Sequence, residues 1–190
     1  MNSDSPGESI KKLYNFVNEL DLDDSIRFMN HGYYPPIDEY KNDEFAYSKS
    51  LYRYMVKGID LKGKKVLEVG CGKGGGLNLL KDFGPAELHA CDLVYSNIMS
   101  CTKAYSDILY TVSNAMVLSY PDSYFDVVIN VESSHLYSDV PRFFNEVKRV
   151  LKPSGVFLYC DVYNCFDNST KDQMKNIHYF SKVVRENLTE

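Results

Sequence analysis

Five glycines crowd a single turn: Gly70, Gly72, Gly74, Gly75 and Gly76 follow the apolar run Val66-Leu67-Glu68-Val69, and the next large apolar residue is Leu77. Glycine admits positive φ and removes Cβ, so a bound molecule can approach the main chain closely. A helix that starts in such a turn points free N–H groups and a partial positive charge at an anion. The stretch reads as a ligand turn. Asp92 closes a second short strand about twenty residues further on, where a carboxylate can meet ribose hydroxyls. Two more groups suit proton transfer. His135 follows the strand Phe125–Val131, and an imidazole titrates near neutral pH. Asp161 leaves the strand Val156–Cys160 at the same carboxyl edge, where open α/β sheets hold ligands, and can orient that ring. Glu132 is the rival base.

Strands and helices must bring these groups to one edge. Val66–Val69, Leu88–Leu93, Ile108–Val112, Phe125–Val131 and Val156–Cys160 read as five strands, the fourth apolar enough to be buried on both faces. Between them, helices are predicted after the glycine turn, where Gly84-Pro85 stops the first, over Ser96–Tyr105, and from Pro141 with Phe143, Phe144, Val147 and Val150 inward. Ahead of the turn, Ile10, Leu13, Tyr14, Phe16, Val17 and Leu20 fit one helical face, Ser25 to Met29 a short helix, and Phe45 to Val56 another helix. Strands alternating with helices of these lengths mean an α/β domain with a parallel sheet and right-handed crossovers.

Length and composition set the outer bounds. A chain of 190 residues is one domain by prior and can bury roughly 70% of its unfolded surface. A net charge of −5 without a basic stripe argues against a nucleic-acid partner. The opening MNSDSPGES lacks the features of a signal peptide, and no run approaches the ~18 apolar residues of a spanning helix, so a cytoplasmic protein without a transmembrane segment is expected. The five cysteines, Cys71 among them, lack CxxC spacing and are read as reduced structural thiols, with no metal site.

The glycines fit two patterns. Gly70-x-Gly72-x-x-Gly75 matches the dinucleotide fingerprint, and Glu68-x-Gly70-x-Gly72-x-Gly74 resembles motif I of the class I S-adenosylmethionine (SAM) dependent methyltransferases. The stretch Ser113 to Val128 decides between them. It resembles the methyltransferase segment that runs from the adenine loop into the fourth strand, and Lys148 to Gly155 is similar to the family's late helix and turn. The resemblance spans Val66 to Asp161. Within the superfamily, Phe28-Met29-Asn30-His31-Gly32-Tyr33, the glycine turn and Asn130-Val131-Glu132-Ser133-Ser134-His135 resemble the bacterial lipid O-methyltransferases represented by the phthiotriolone dimycocerosates methyltransferases.

That resemblance implies a Rossmann-like SAM methyltransferase fold and S-adenosyl-L-methionine as cofactor. Gly70, Cys71, Gly72 and Gly74 would approach its methionine part, Glu68 its amino group, Asp92 and Leu93 its ribose, and Asn114 with Ala115 its adenine, with Glu132 also in the cofactor site. Asn114 stands where the family has Asp, an acceptor without charge. His135 and Asp161 are the expected catalytic pair, and Tyr33, Tyr34, Ser133 and Ser134 the expected substrate pocket. Residues 1–60 are expected as an N-terminal helical cap segment and 61–190 as the SAM-binding domain, one structural unit overall. The implied reaction is methylation of a hydroxyl on a small lipid or polyketide-like molecule.

One departure favours an alternative. Past the fifth strand the sequence reads as a loop and one helix, with Met174, Ile177, Phe180, Val184 and Leu188 on its apolar side, instead of the two strands that complete the family's sheet. The fold is thus C-terminally shortened, and its fifth strand is an exposed apolar edge that the terminal helix or a homodimer must cover. A truncated, non-catalytic SAM-binding or regulatory protein is the second reading.

Overall fold

Strand order decides where the site falls. The computed structural model describes residues 5–34, 38–164, 179–181 and 184–186. In it, β1 (Lys65–Val69), β2 (Glu87–Asp92), β3 (Leu109–Val112), β4 (Phe125–Val131) and β5 (Leu151–Cys160) lie in the order β3-β2-β1-β4-β5. Every neighbouring pair among these five is parallel, as the alternation of strands and helices predicts. The chain steps outward from β1 through β2 to β3, then crosses back to set β4 on the other side of β1. The carboxyl ends of β1 and β4 therefore flank the switch point of a Rossmann-like sheet, the place where such sheets bind ligands.

Side chains alternate between the two faces. Val66, Val127, Ile129 and Leu158 pack with Leu51 and Met55 of α2 (Ala46–Met55), Leu77 and Leu80 of α3 (Gly75–Leu80) and Ile98 of α4 (Tyr95–Ala104). Leu67, Val69, Val128 and Phe157 pack with Phe143, Val147 and Val150 of α5 (Val140–Val150) on the other face. The Asp139 side chain caps α5 by accepting from the Arg142 amide at 2.9 Å, with Pro141 in the first turn. Met55, Leu77, Phe125 and Phe143 are fully buried, and each such side chain stabilises the core by about 1.5–3 kcal/mol.

Two N-terminal expectations change. In α1 (Pro6–Leu20) no residue is buried, and Leu13, Phe16 and Leu20 are more than half exposed. The helix instead turns Gly7, Ile10, Lys11 and Tyr14 inward. No helix forms at Ser25–Met29, because local groups claim its backbone. One oxygen of Asp21 accepts from the Ser25 and Ile26 amides, Asp24 adopts φ +52°, and the Arg27 carbonyl accepts from the Gly75 amide at 3.1 Å. The segment from Asp21 to His31 thus lies as a strap across the glycine turn. Lys73, 3% exposed, pins it by pairing with Asp21 and Asp24 at 3.1 Å each.

The C-terminal helix is also revised. Tyr179–Ser181 and Val184–Glu186 are short strands, β7 and β8. β7 pairs antiparallel with β6 (Val162–Asn164), and β8 pairs antiparallel with Phe157–Tyr159 of β5. Phe180 and Val184 are four apart, which mimics a helical face, yet Tyr-Phe and Val-Val are strand formers. Met174, Ile177 and Leu188 lie outside the described residues. β8 gives the apolar edge of β5 a partner from within the chain.

Removing the cation of a buried ion cluster strands its carboxylates, so Lys73→Met is expected to destabilise the fold by about 3–5 kcal/mol in urea titrations. Burial alone would raise the Asp21 and Asp24 carboxyls. Hydrogen bonds and charge from Lys73, Ser100, Arg27 and nearby amides outweigh it and hold both below their ordinary value. Their contribution is present above the unfolded value of about 3.9 and lost as pH falls below it. The acid-induced loss should be smaller in Lys73→Met than in the wild type.

Candidate functional site

A cavity of about 270 Å³ opens at the switch point, just below the roughly 300–1,000 Å³ common for small-molecule sites. Gly70, Cys71 and Gly72 from the turn, Asp92 and Leu93 from the end of β2, Asn114 and Ala115 beyond β3, and Glu132 and Ser133 beyond β4 all line it. α1 and the strap close the opposite side through Ile10, Tyr14, Phe28, Met29 and Asn30. Gly70 and Gly72 have φ of +74° and +52°, and a Cβ on Gly70 would collide with Ser133. Gly75 and Gly76 serve packing: side chains there would strike the Arg27 carbonyl and the Tyr52 ring.

Asp92 is nearly buried and braces the turn from below. One oxygen accepts from the Gly72 amide at 2.9 Å, the other from the Val94 amide at 2.8 Å and from the Asn97 side chain. Burial raises its carboxyl, offset in part by these bonds. Burial and the Asp92 charge together raise the Tyr14 hydroxyl on α1. Asn130 is fully buried, and its amide ties β4 to β1 by donating to the Val69 carbonyl at 2.9 Å and to Ser133 at 2.7 Å.

Two imidazole–carboxylate pairs stand at the same edge. His135 Nδ1 lies 2.6 Å from Asp161 Oδ1, and its amide donates to the other oxygen at 2.9 Å. Ser134 also donates to Asp161, and the Val162 amide does so at 2.8 Å. These bonds outweigh burial and lower the Asp161 carboxyl; in return Asp161, against burial, raises His135 above its ordinary value. An Nδ1–H held by a carboxylate leaves Nε2 as the basic nitrogen. The second pair joins His31 Nδ1 to Glu132 Oε2 at 2.6 Å.

Several expected site residues stand off the cavity wall. Glu68 is buried behind Tyr52, whose hydroxyl donates to it at 2.5 Å, and Gly74 caps α3 against Cys101 and Tyr110. Tyr33 stacks on Tyr54 and Tyr34 on Tyr47, away from the cavity. Ser134, His135 and Asp161 form one cluster just outside it, with Ser133 and Leu136 on the wall. Tyr14, Asn30, His31 and Asn130 are additions to the site residues that the sequence assigned. The last three lie within the Phe28–Tyr33 and Asn130–His135 stretches, which were the available signal.

The wall suits SAM. A near-buried carboxylate can take ribose hydroxyls, glycine backbone admits close approach, and Glu132 together with the unpartnered Asn30 Oδ1 offers acceptors to a cationic arm. Residues 67–159 match the family described as a methyltransferase domain, so the chain carries such a domain. It is 40% identical over 165 residues to a fatty-acid O-methyltransferase of Mycolicibacterium smegmatis, covering 83% of this chain and 60% of that protein. It is 39% identical over 147 residues to a phthiotriol/phenolphthiotriol dimycocerosates methyltransferase of Mycobacterium tuberculosis, covering 73% and 54%. The chain thus spans less than two thirds of these curated relatives. The fold matches geranyl diphosphate C-methyltransferase of Streptomyces coelicolor with a TM-score of 0.71 at 14% identity, covering 92% and 72%.

The buried Glu68 gives the site a pH signature. Burial pushes its carboxyl up to about 7, against the opposing bonds from Tyr52 and the Leu77 amide. The folded chain therefore keeps a proton that the unfolded chain releases near pH 4.5. This contribution is intact below that value and is lost as pH rises toward 7, by about 3 kcal/mol in all. Urea midpoints measured from pH 4.5 to 8 should carry this slope in the wild type and lack it in Glu68→Gln.

Proposed function

We propose that this chain carries the cofactor and catalytic core of a SAM-dependent methyltransferase acting on a hydroxyl of a small lipid or polyketide-like molecule. The observation that carries the reading is the placement of a glycine-and-carboxylate cavity beside an imidazole–carboxylate pair at one sheet edge. Bound in the cavity, SAM supplies a methyl group activated by its sulfonium. Gly70, Cys71 and Gly72 receive the methionine arm, Asp92 and Leu93 the ribose, and Asn114 and Ala115 the adenine. Residues 1–60 act as the cap. Among the described residues no helix is long and apolar enough to cross a membrane; a cytoplasmic location belongs to this reading, as does a homodimer over the part of the β5 edge that β8 leaves free.

The acceptor must stand beyond the cofactor, in line with the methyl group. A base just outside the cavity wall is therefore on the acceptor's side. His135 Nε2 takes the hydroxyl proton there, and Asp161 fixes the ring and favours the imidazolium that forms. A hydroxyl needs such a base; a carboxylate acceptor does not. This favours the hydroxyl class.

Calorimetry is expected to give micromolar binding of SAM or S-adenosylhomocysteine, weakened in Asp92→Ala as the ribose loses a charged acceptor. A folded chain that binds neither overturns the cofactor assignment. Binding without turnover on any hydroxylated lipid favours the non-catalytic alternative.

His135→Ala should bind SAM like the wild type and lose about 10²–10⁴-fold in turnover. Because the base must be neutral and Asp161 raises it from 6.5, turnover should rise with pH through a limb above that value. Asp161→Asn should shift the limb down; a limb that stays in place would exclude His135 as the titrating group.

A further inference from the structure

We propose that His31 is a positioning residue: acting through Glu132, it fixes the carboxylate that receives the cationic arm of the cofactor. The inference rests on the SAM reading of the cavity. Glu132 directly follows β4, lines the cavity and has a side chain only 4% exposed. Its backbone sits at φ +44°, held by its amide donating to the Cys160 carbonyl at 2.7 Å. A non-glycine residue kept in the left-handed region at a sheet edge points to a side chain aimed for use.

His31 supplies the aim. Its amide donates to Glu132 Oε2 at 2.8 Å, and its ring Nδ1 meets the same oxygen at 2.6 Å. Two bonds to one oxygen fix the carboxylate plane, so Oε1 can face the cavity. The adjoining Asn30 also lines the cavity and buries an amide oxygen that has no hydrogen-bond partner. Among the described residues, the basic side chains on the cavity wall are Arg27, paired with Asp24, and Lys11, paired with Glu8. This end is rich in acceptors and short of donors, which suits an ammonium or sulfonium group. His31 rides on the strap that Lys73 seats on the glycine turn, so the carboxylate is aligned only when the strap is in place.

The test is SAM titration by calorimetry of the wild type, His31→Ala, His31→Asn, Glu132→Gln and the double variant His31→Ala/Glu132→Gln, with thermal unfolding of each unliganded chain. His31 is two-thirds exposed, so His31→Ala should fold and melt close to the wild type. It should bind SAM roughly tenfold more weakly, the scale of one charged hydrogen bond. His31→Asn should recover most of that loss, because an asparagine amide can donate from the same position. The double variant should bind no more weakly than Glu132→Gln alone, since a residue acting through Glu132 has nothing left to position. Wild-type affinity in His31→Ala, a loss that asparagine does not relieve, or fully additive losses in the double variant overturns the inference. A wild-type chain that binds no SAM overturns the reading of the cavity, and this inference falls with it.

Discussion

A buried ammonium holds the roof of the site to its floor. The sheet and glycine turn are secured by core packing on both faces, but α1 buries no residue of its own. Its links to the domain are polar, with Asn18 bonded to Ser96 and Asn97. The strap between α1 and the sheet is tied down by Lys73, which rises from the glycine turn between Asp21 and Asp24. A buried charge is costly unless paired and hydrogen-bonded. Here Asp21 and Asp24 are bonded further by strap amides, Ser100 and Arg27. The cost of desolvating Lys73 thus becomes specificity: it is met only when the strap lies in one register across the turn.

That register distributes the glycines. Gly70 and Gly72 shape the cavity, while Gly75 and Gly76 let the strap and Tyr52 come close. Tyr52 in turn holds Glu68. The motif acid, which resemblance assigns to the cofactor, is therefore built into the joint between α2 and β1, while Asp92 and Glu132 at the strand ends line the cavity. A ligand turn and a packing joint occupy the same seven residues, which explains why glycine recurs beyond what a fingerprint requires.

The five parallel strands were legible because each is a short, dense apolar run bounded by turn residues, and Phe125–Val131 is found with the limits its sequence predicts. The groups gathered at the carboxyl edge follow from that topology alone. Patterning misled where tertiary contacts decide. α1 carries a helical apolar stripe, yet Leu13 and Phe16 face outward because the helix covers a cavity and not a core. The strap reads as a helix until Asp21 and Gly75 compete for its backbone. His31 and Glu132 are 101 residues apart, and no local spacing announces such a pair.

Methyl transfer from a sulfonium to a hydroxyl asks for opposite electrostatics a few ångströms apart. The donor side must hold a cation, and the acceptor side must remove a proton. Both imidazole–carboxylate pairs sit where β4 and β5 end, but they differ in which member faces inward. In one, the carboxylate lines the cavity and the imidazole stands outside, two-thirds exposed. In the other, the carboxylate is buried beneath the sheet edge and the imidazole is the member left partly open. The first arrangement presents negative charge to a ligand; the second presents a base with its anion behind it. One residue pairing, inserted in opposite orientations at adjacent strand ends, can thus meet both demands.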